Sequence, residues 1–195
     1  TNLFPWFFLF ILLIFSSAYF SDYFRKFTEK IALSITSAEQ ESNLGNMMFS
    51  EISEVSYCDI NKINDYIHNA DKNYLSRTNG RIELIFINLE KYSGILFPGG
   101  KLLVPFSILE KKDGAFKLTQ ITKLAMEALT SKKAIRKFFS SQRNKALLTY
   151  IFGNFTELNF DKDNGLLISL NGKTEILDSV FNDKEWLSLK NLCKI

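Results

Sequence analysis

Hydrophobic residues are most concentrated at the start of the chain. No charged side chain occurs before Asp22, and residues Leu3 to Phe20 form one almost entirely apolar run. A helix of about 20 residues crosses the hydrocarbon layer of a bilayer, because each residue adds about 1.5 Å of length. The run has no basic start and no small-residue cleavage site, which favours a retained anchor over a secretory signal. We therefore predict a transmembrane anchor over residues 1–22, with its lipid and interface contacts at Trp6, Phe10, Leu13 and Tyr19.

Basic residues follow the apolar run and none precede it. Arg25, Lys26 and Lys30 stand within about ten residues of its end, and an excess of such residues stays on the cytoplasmic, matrix or stromal side of a membrane. The remainder of the chain is therefore expected to face inward. The mitochondrial inner membrane is the favoured location, and the thylakoid and bacterial inner membranes are alternatives. Close packing against a neighbouring helix is predicted at three small residues late in the run, Ser16, Ser17 and Ala18.

Apolar residues then recur at helical spacing. Phe24, Phe27, Ile31, Ile35 and Ala38 are three or four residues apart, with charged residues between them. The spacing predicts an amphipathic helical extension over residues 23–44, whose apolar stripe packs either on the chain's own domain or on another subunit. Polar residues and a glycine then indicate a linker over residues 45–57.

The first half of residues 58–195 alternates between helical and extended patterns. Helical spacing begins at Asp59, and Arg81–Leu89 is typical of a largely buried strand. Two further extended segments are predicted to turn at Pro98–Gly100. Pro105 favours an edge position for the second of them, because proline cannot donate a ladder hydrogen bond.

The second half adds helices and a hairpin. A long helix is predicted from Thr119, with an interruption at Ser140–Ser141, and Asp163–Gly165 indicates a hairpin turn. A closing helix over Asp183–Leu192 is expected to face Trp186, Leu189 and either Leu192 or Cys193 inward. The fold class is therefore α+β: a single N-terminal transmembrane helix followed by one small domain of helices and antiparallel strands.

Composition and charge narrow the function classes. The chain has 195 residues, of which 46% are hydrophobic and 23% charged, so it can build one globular core and is not a disordered tail. Its net charge of +3 is too small to indicate a nucleic-acid-binding protein.

No residue pattern specifies catalysis, a cofactor or a metal. His68 is the only histidine, so a histidine-based metal cluster is excluded. Pro98–Lys101 lacks the first glycine and the hydroxyl of a phosphate loop, and Asp161–Gly165 lacks the glutamate of a calcium loop. We therefore expect no catalytic activity. Cys58 and Cys193 are interpreted as separate thiols, because they lack metal-ligand spacing and an inward domain would meet a reducing compartment.

One charged segment is the candidate binding site. Six basic residues and no acidic ones occur within fourteen positions, and several lie along one helical face. The face is either simply solvated or contacts anionic lipid headgroups or an acidic neighbouring subunit; contact with RNA ranks last. The residues are Lys132, Lys133, Arg136, Lys137, Arg143 and Lys145.

The first 40 residues or so carry a family resemblance. The N-terminal run and the segment Ile31–Glu39 resemble the membrane-anchored stator subunits of F-type ATP synthases, and Pro5–Phe7 is similar to the start of subunit eight of the mitochondrial enzymes. The chain departs from a stator subunit where strands replace a long polar helix. The resemblance implies a structural or accessory subunit of an energy-coupling, ion-transporting membrane complex, with the other subunits and the bilayer as partners. The alternative is a membrane-tethered assembly factor or binding module.

Overall fold

The computed structural model describes residues 23, 26–27, 29–52, 58, 61–65, 82–89, 94–141, 164–170 and 181–193. Helical residues at 23, 26–27 and 29–35 form what we call the arm, and residues 61–65 are also helical. Short 3-10 helices cover Pro98–Gly100 and Phe106–Glu110. The remaining elements are α1 (Ala38–Ser50), β1 (Glu83–Ile87), β2 (Gly94–Leu96), β3 (Lys101–Pro105), α2 (Gly114–Thr130), α3 (Lys133–Ser141), β4 (Leu166–Ile168) and α4 (Asp183–Leu192).

The four strands form one mixed sheet in the order β1-β3-β2-β4. β2 pairs antiparallel with β3 and β4, while β1 pairs parallel with β3. β2 and β3 turn at Pro98–Gly100 as predicted, with Gly99 and Gly100 at positive φ. The prediction of an edge strand at Pro105 is wrong. Because Pro105 is the last residue of β3, a central strand accommodates it at the end of the ladder.

Helices cover both faces of this sheet. Successive side chains of a strand point to opposite faces, so Leu84 and Leu102 enter one core with α2, α4 and Ile63. Ile85 and Leu103 enter a second core with the arm, α1 and α3. A strand that is buried on both faces has a nearly continuous apolar sequence. This explains the apolar pattern of Arg81–Leu89, and β1 within that segment confirms the prediction of a buried strand.

Several helix boundaries differ from the predicted ones: the predicted helix 23–44 breaks at Thr36–Ser37, and α2 begins at Gly114 instead of Thr119. α1 extends to Ser50, so the predicted linker 45–57 overlaps its second half. The long helical pattern breaks at residues 131–132, which was not predicted; Ser140 and Ser141 are helical, and the residues that follow them lie outside the described part of the chain. Ahead of α2, Asp113 accepts a hydrogen bond from Lys117 at 2.6 Å, which holds the pKa of the Asp113 carboxyl below its ordinary value.

The closing helix has the predicted bounds. It begins after Asn182, whose side chain accepts a hydrogen bond from the backbone N–H of Glu185, while the Glu185 carboxylate accepts one from the backbone N–H of Asn182. Leu189 is buried, and Trp186 packs against the first core.

Cys58 and Cys193 form a disulfide, with Cα atoms 4.5 Å apart. Both residues are buried in the first core. The prediction of two separate thiols is therefore wrong. It relied on a separation of 135 residues along the chain and on a reducing compartment, whereas α4 packs back onto the layer that contains Cys58.

Within the part of the chain described above, no helix is both long enough and apolar enough to cross a bilayer. The predicted fold class of a single-pass membrane protein with antiparallel strands is corrected accordingly: the described architecture is a mixed helix and strand domain with one parallel strand pair. The predicted anchor, residues 1–22, lies outside the described residues, and so do its named contacts at Trp6, Phe10, Leu13, Ser16, Ser17, Ala18 and Tyr19. Asp59 and the first strand of the predicted hairpin also lie outside them.

Candidate interaction surface

The arm packs on the sheet with one side and exposes apolar side chains on the other. Ala32 is fully buried in the second core, and Thr36 at the end of the arm is buried too. Four large apolar residues repeat every fourth position on the opposite side: Tyr23 is 66% exposed, Phe27 53%, Ile31 39% and Ile35 55%. Residues four apart lie on one helical face. We call these four residues the apolar stripe.

Lys132 holds the end of the arm. Its Nζ donates hydrogen bonds to the backbone oxygens of Leu33, at 2.8 Å, and Thr36, at 3.4 Å. The last carbonyls of a helix lack intrahelical partners and carry partial negative charge, so a lysine is well suited to this position. Lys132 Nζ also lies 3.8 Å from a carboxylate oxygen of Glu41 in α1.

The backbone conformation around Lys132 explains why its side chain reaches the arm. Lys132 has a φ of 54°, in the left-handed region, between the end of α2 and the start of α3. Its backbone N–H donates to the carbonyl of Leu129, and its carbonyl accepts from the backbone N–H of Arg136. Ser37 then starts α1 with a reciprocal capping box to Gln40. The turn between α2 and α3 therefore faces the break between the arm and α1.

A second polar contact ties α3 to the arm. The Nε atom of Arg136 lies 3.5 Å from a carboxylate oxygen of Glu29. Two of the six predicted contact residues, Lys132 and Arg136, are thus engaged within the chain. Lys133 and Lys137 are exposed, and Arg143 and Lys145 lie outside the described residues.

Two exposed lysines, Lys26 and Lys30, lie beside the N-terminal half of the stripe. Lys26 and Lys30 stand three residues after Tyr23 and Phe27, which makes them neighbours on the helix surface. Lys133 and Lys137 lie on α3, which contacts the arm at Glu29, and Glu29 is two residues from both Phe27 and Ile31 and so lies on the face turned away from the stripe.

The described residues present no metal site and little other polar chemistry in the core. No group of three or more His, Cys, Asp or Glu side chains among them could hold a metal ion. Thr119 and Thr122 in α2 donate to backbone carbonyls one turn earlier. Gln120 Oε1 is buried and has no hydrogen-bond partner in the described part of the chain.

Comparison of the chain with protein-family models, with curated proteins and with solved structures finds no match. The resemblance of the first residues to ATP synthase subunits stays a prediction.

The sequence pattern predicted most of the apolar stripe, but it did not predict the contacts that hold the arm in place. It identified the spacing of Phe27, Ile31 and Ile35, but it continued the stripe to Ala38 across a break in the helix. The capping-box pattern of Ser37 and Gln40 could have located that break. No local signal indicates that Lys132 bonds to backbone atoms almost a hundred positions away.

Proposed function

We propose that this chain is a non-catalytic structural or accessory subunit of a larger protein assembly, and that the arm is its docking element. The observation that carries the proposal is the apolar stripe, four large side chains exposed along one helical face. Contiguous apolar surface on a folded protein typically marks a site of interaction. Fully burying one such side chain contributes about 1.5–3 kcal/mol, so partial burial of four supports a stable contact.

The arm is held well enough to serve as a fixed docking element. Its inner side is occupied by the second core at Ala32, and its end is bonded to Lys132. The stripe therefore cannot reach the sheet without breaking contacts that are already made. A preorganised helix loses less conformational entropy on binding than a free segment does. Membership of an energy-coupling complex has no support beyond the N-terminal resemblance and stays a prediction.

The proposal is tested by changing the stripe in the full chain. Ile31→Asp combined with Ile35→Asp places two charges on exposed positions, so we expect the fold to be retained and docking to be lost. Native gel electrophoresis of gently lysed source cells should show the tagged chain in a large assembly and the variant migrating alone. Leu187→Asp is the matched control, because Leu187 is also exposed but lies on α4, in the layer on the other side of the sheet.

Circular dichroism and the thermal midpoint of the purified variants show whether the fold is intact. The proposal is overturned if the unchanged chain migrates as a monomer, or if the double variant stays in the assembly.

A further inference from the structure

We infer that Lys132 is a positioning residue for docking: it holds the arm in the conformation that presents the apolar stripe, although it is not part of the stripe itself. This inference rests on the proposed function and identifies what controls that docking surface. It follows from three properties of the arm. The arm has a small apolar contact with the domain, it is short, and charged side chains hold it in place.

The arm turns small side chains toward the domain and large apolar ones away from it. Ala32 is fully buried in the second core, and Leu33 is partly buried beside it. Thr36 is buried as well, but its hydroxyl donates to the carbonyl oxygen of Ala32, one turn earlier in the same segment. The free energy gained by burial scales with apolar area, so an alanine contributes far less than a large side chain. The apolar contact alone therefore holds the arm weakly.

The arm is also short. Its described helical residues lie between Tyr23 and Ile35, and a helical segment of this length depends mainly on tertiary packing for its stability. The residues of the stripe share one face only while the arm is helical. An arm that leaves the domain thus loses the alignment of its apolar side chains.

Charged side chains of the turn before α3 and of α3 itself hold the arm in place. Lys132 Nζ donates to the backbone oxygens of Leu33 and Thr36, and hydrogen bonds from a charged donor are stronger than neutral ones. Arg136 Nε lies 3.5 Å from a Glu29 carboxylate oxygen, but the Arg136 side chain is 58% exposed. Exposed ion pairs contribute little. Lys132 is therefore the main polar contact of the arm.

The arm can open without disturbing α1. The helix is interrupted at residues 36–37, and Ser37 starts α1 with its own capping box to Gln40. Local opening of one segment while the rest stays folded is common in proteins. The apparent affinity of a partner falls with the fraction of molecules that are competent to bind it. Docking should therefore follow the fraction of chains in which Lys132 holds the arm.

A thiol on the buried side of the arm measures its opening. Cys58 and Cys193 are bonded to each other and the chain has no other cysteine, so Ala32→Cys supplies a single free thiol that reacts only when the arm leaves the second core. Lys132→Asn should raise the reaction rate about tenfold or more, because the charged hydrogen bonds are lost. Lys132→Arg should keep the rate low, since a guanidinium is also a charged donor of comparable length. The matched control is Ala125→Cys in the first core, whose rate Lys132→Asn should not change.

Docking is measured with the same substitutions of Lys132 in the full chain. On the native gel, Lys132→Asn should lower the apparent affinity for the assembly about tenfold, seen as loss of the tagged chain from the large band. Lys132→Arg should retain it, and so should Lys133→Asn, which changes the exposed neighbour. Arg136→Gln should act in the same direction as Lys132→Asn with a smaller effect.

Two results would overturn the inference: an unchanged reaction rate of the Ala32→Cys thiol in the Lys132→Asn chain, or a faster reaction with the assembly left intact. Both leave the proposed function in place, provided that Ile31→Asp with Ile35→Asp still removes the chain from the assembly. If the unchanged chain migrates alone, the proposed function fails and this inference fails with it.

Discussion

At the scale of single residues, Lys132 links the turn between α2 and α3 to the arm and to α1. It lies between α2 and α3, and its Nζ donates hydrogen bonds to the backbone oxygens of Leu33 in the arm and of Thr36 directly after it. A non-glycine residue at positive φ is strained, since its Cβ approaches the following carbonyl. The side-chain hydrogen bonds to the arm offset this strain, because hydrogen bonds from a charged donor are among the stronger ones in proteins.

Lys132→Asn should loosen the arm while leaving the turn intact. Asparagine tolerates the left-handed region, but its side chain is too short to reach Leu33 and Thr36. Loss of the charged hydrogen bonds should lower the stability of the docked arm by about 1.5–3 kcal/mol. Hydrogen exchange of amides in residues 29–35 measures this directly, as faster exchange confined to the arm.

The neighbouring residue supplies the control for this substitution. Lys133→Asn changes the same side chain at an exposed position and should shift stability by less than about 0.5 kcal/mol. Unchanged exchange in the Lys132 variant would show that the second core alone holds the arm.

At the scale of elements, the position of α1 depends on close backbone contact with the turn between β2 and β3. A Cβ atom at Gly45 would collide with the carbonyl oxygen of Pro98. On the other side of the contact, Gly99 has a φ of 75°, and a Cβ there would collide with the backbone of Ser42. Glycine on both sides lets the helix and the turn approach this closely.

Gly45→Ala should therefore destabilise the domain although alanine is the better helix former. The substitution gains about 1 kcal/mol of helix propensity. The added methyl group meets a backbone oxygen that cannot move alone, and overpacking of this kind costs about 1–3 kcal/mol. We expect a lower denaturant midpoint with an unchanged slope.

Asn46→Ala serves as the control, because Asn46 is the next residue of α1 and is exposed. The Asn46→Ala substitution raises helix propensity without a steric collision, so its effect on stability should be neutral or slightly favourable. A Gly45→Ala midpoint equal to or above that of the unchanged chain would contradict the close-contact argument.

Elements with a strong local signal were predicted well. The apolar run of β1, the turn at Pro98–Gly100 and the closing helix each have a pattern that specifies them locally. The parallel pairing of β1 with β3 has no such signal, because it depends on where the β2–β3 hairpin inserts. The basic face was found as a pattern, yet the structure assigns Lys132 and Arg136 to contacts within the chain. Long-range contacts, not local propensity, decide such roles.

At the scale of the whole molecule, the disulfide changes the kind of cellular compartment in which the domain is expected. Disulfides form and persist in oxidising compartments and are rare in the cytosol. Cys58 and Cys193 are both buried, which shields the bond from small reductants. The disulfide thus favours an oxidising compartment, opposite to the inward side that the basic residues after the apolar run predict. That sidedness is an expectation that the described residues do not test.

Cys58→Ala combined with Cys193→Ala should lower the stability of the whole domain. The crosslink closes 135 residues of chain, and for a loop of this length the chain-entropy model predicts about 5 kcal/mol. Guanidinium unfolding of the oxidised chain should therefore show a much higher midpoint than the double variant, and dithiothreitol should lower the first midpoint without affecting the second. The same bond reports the compartment in cells: a thiol-reactive polymer added at lysis in denaturant, which exposes both buried cysteines, should modify neither of them until a reductant is supplied. Immediate modification of both cysteines would show that the chain resides in a reducing compartment, and would restore the inward orientation that Arg25, Lys26 and Lys30 predict.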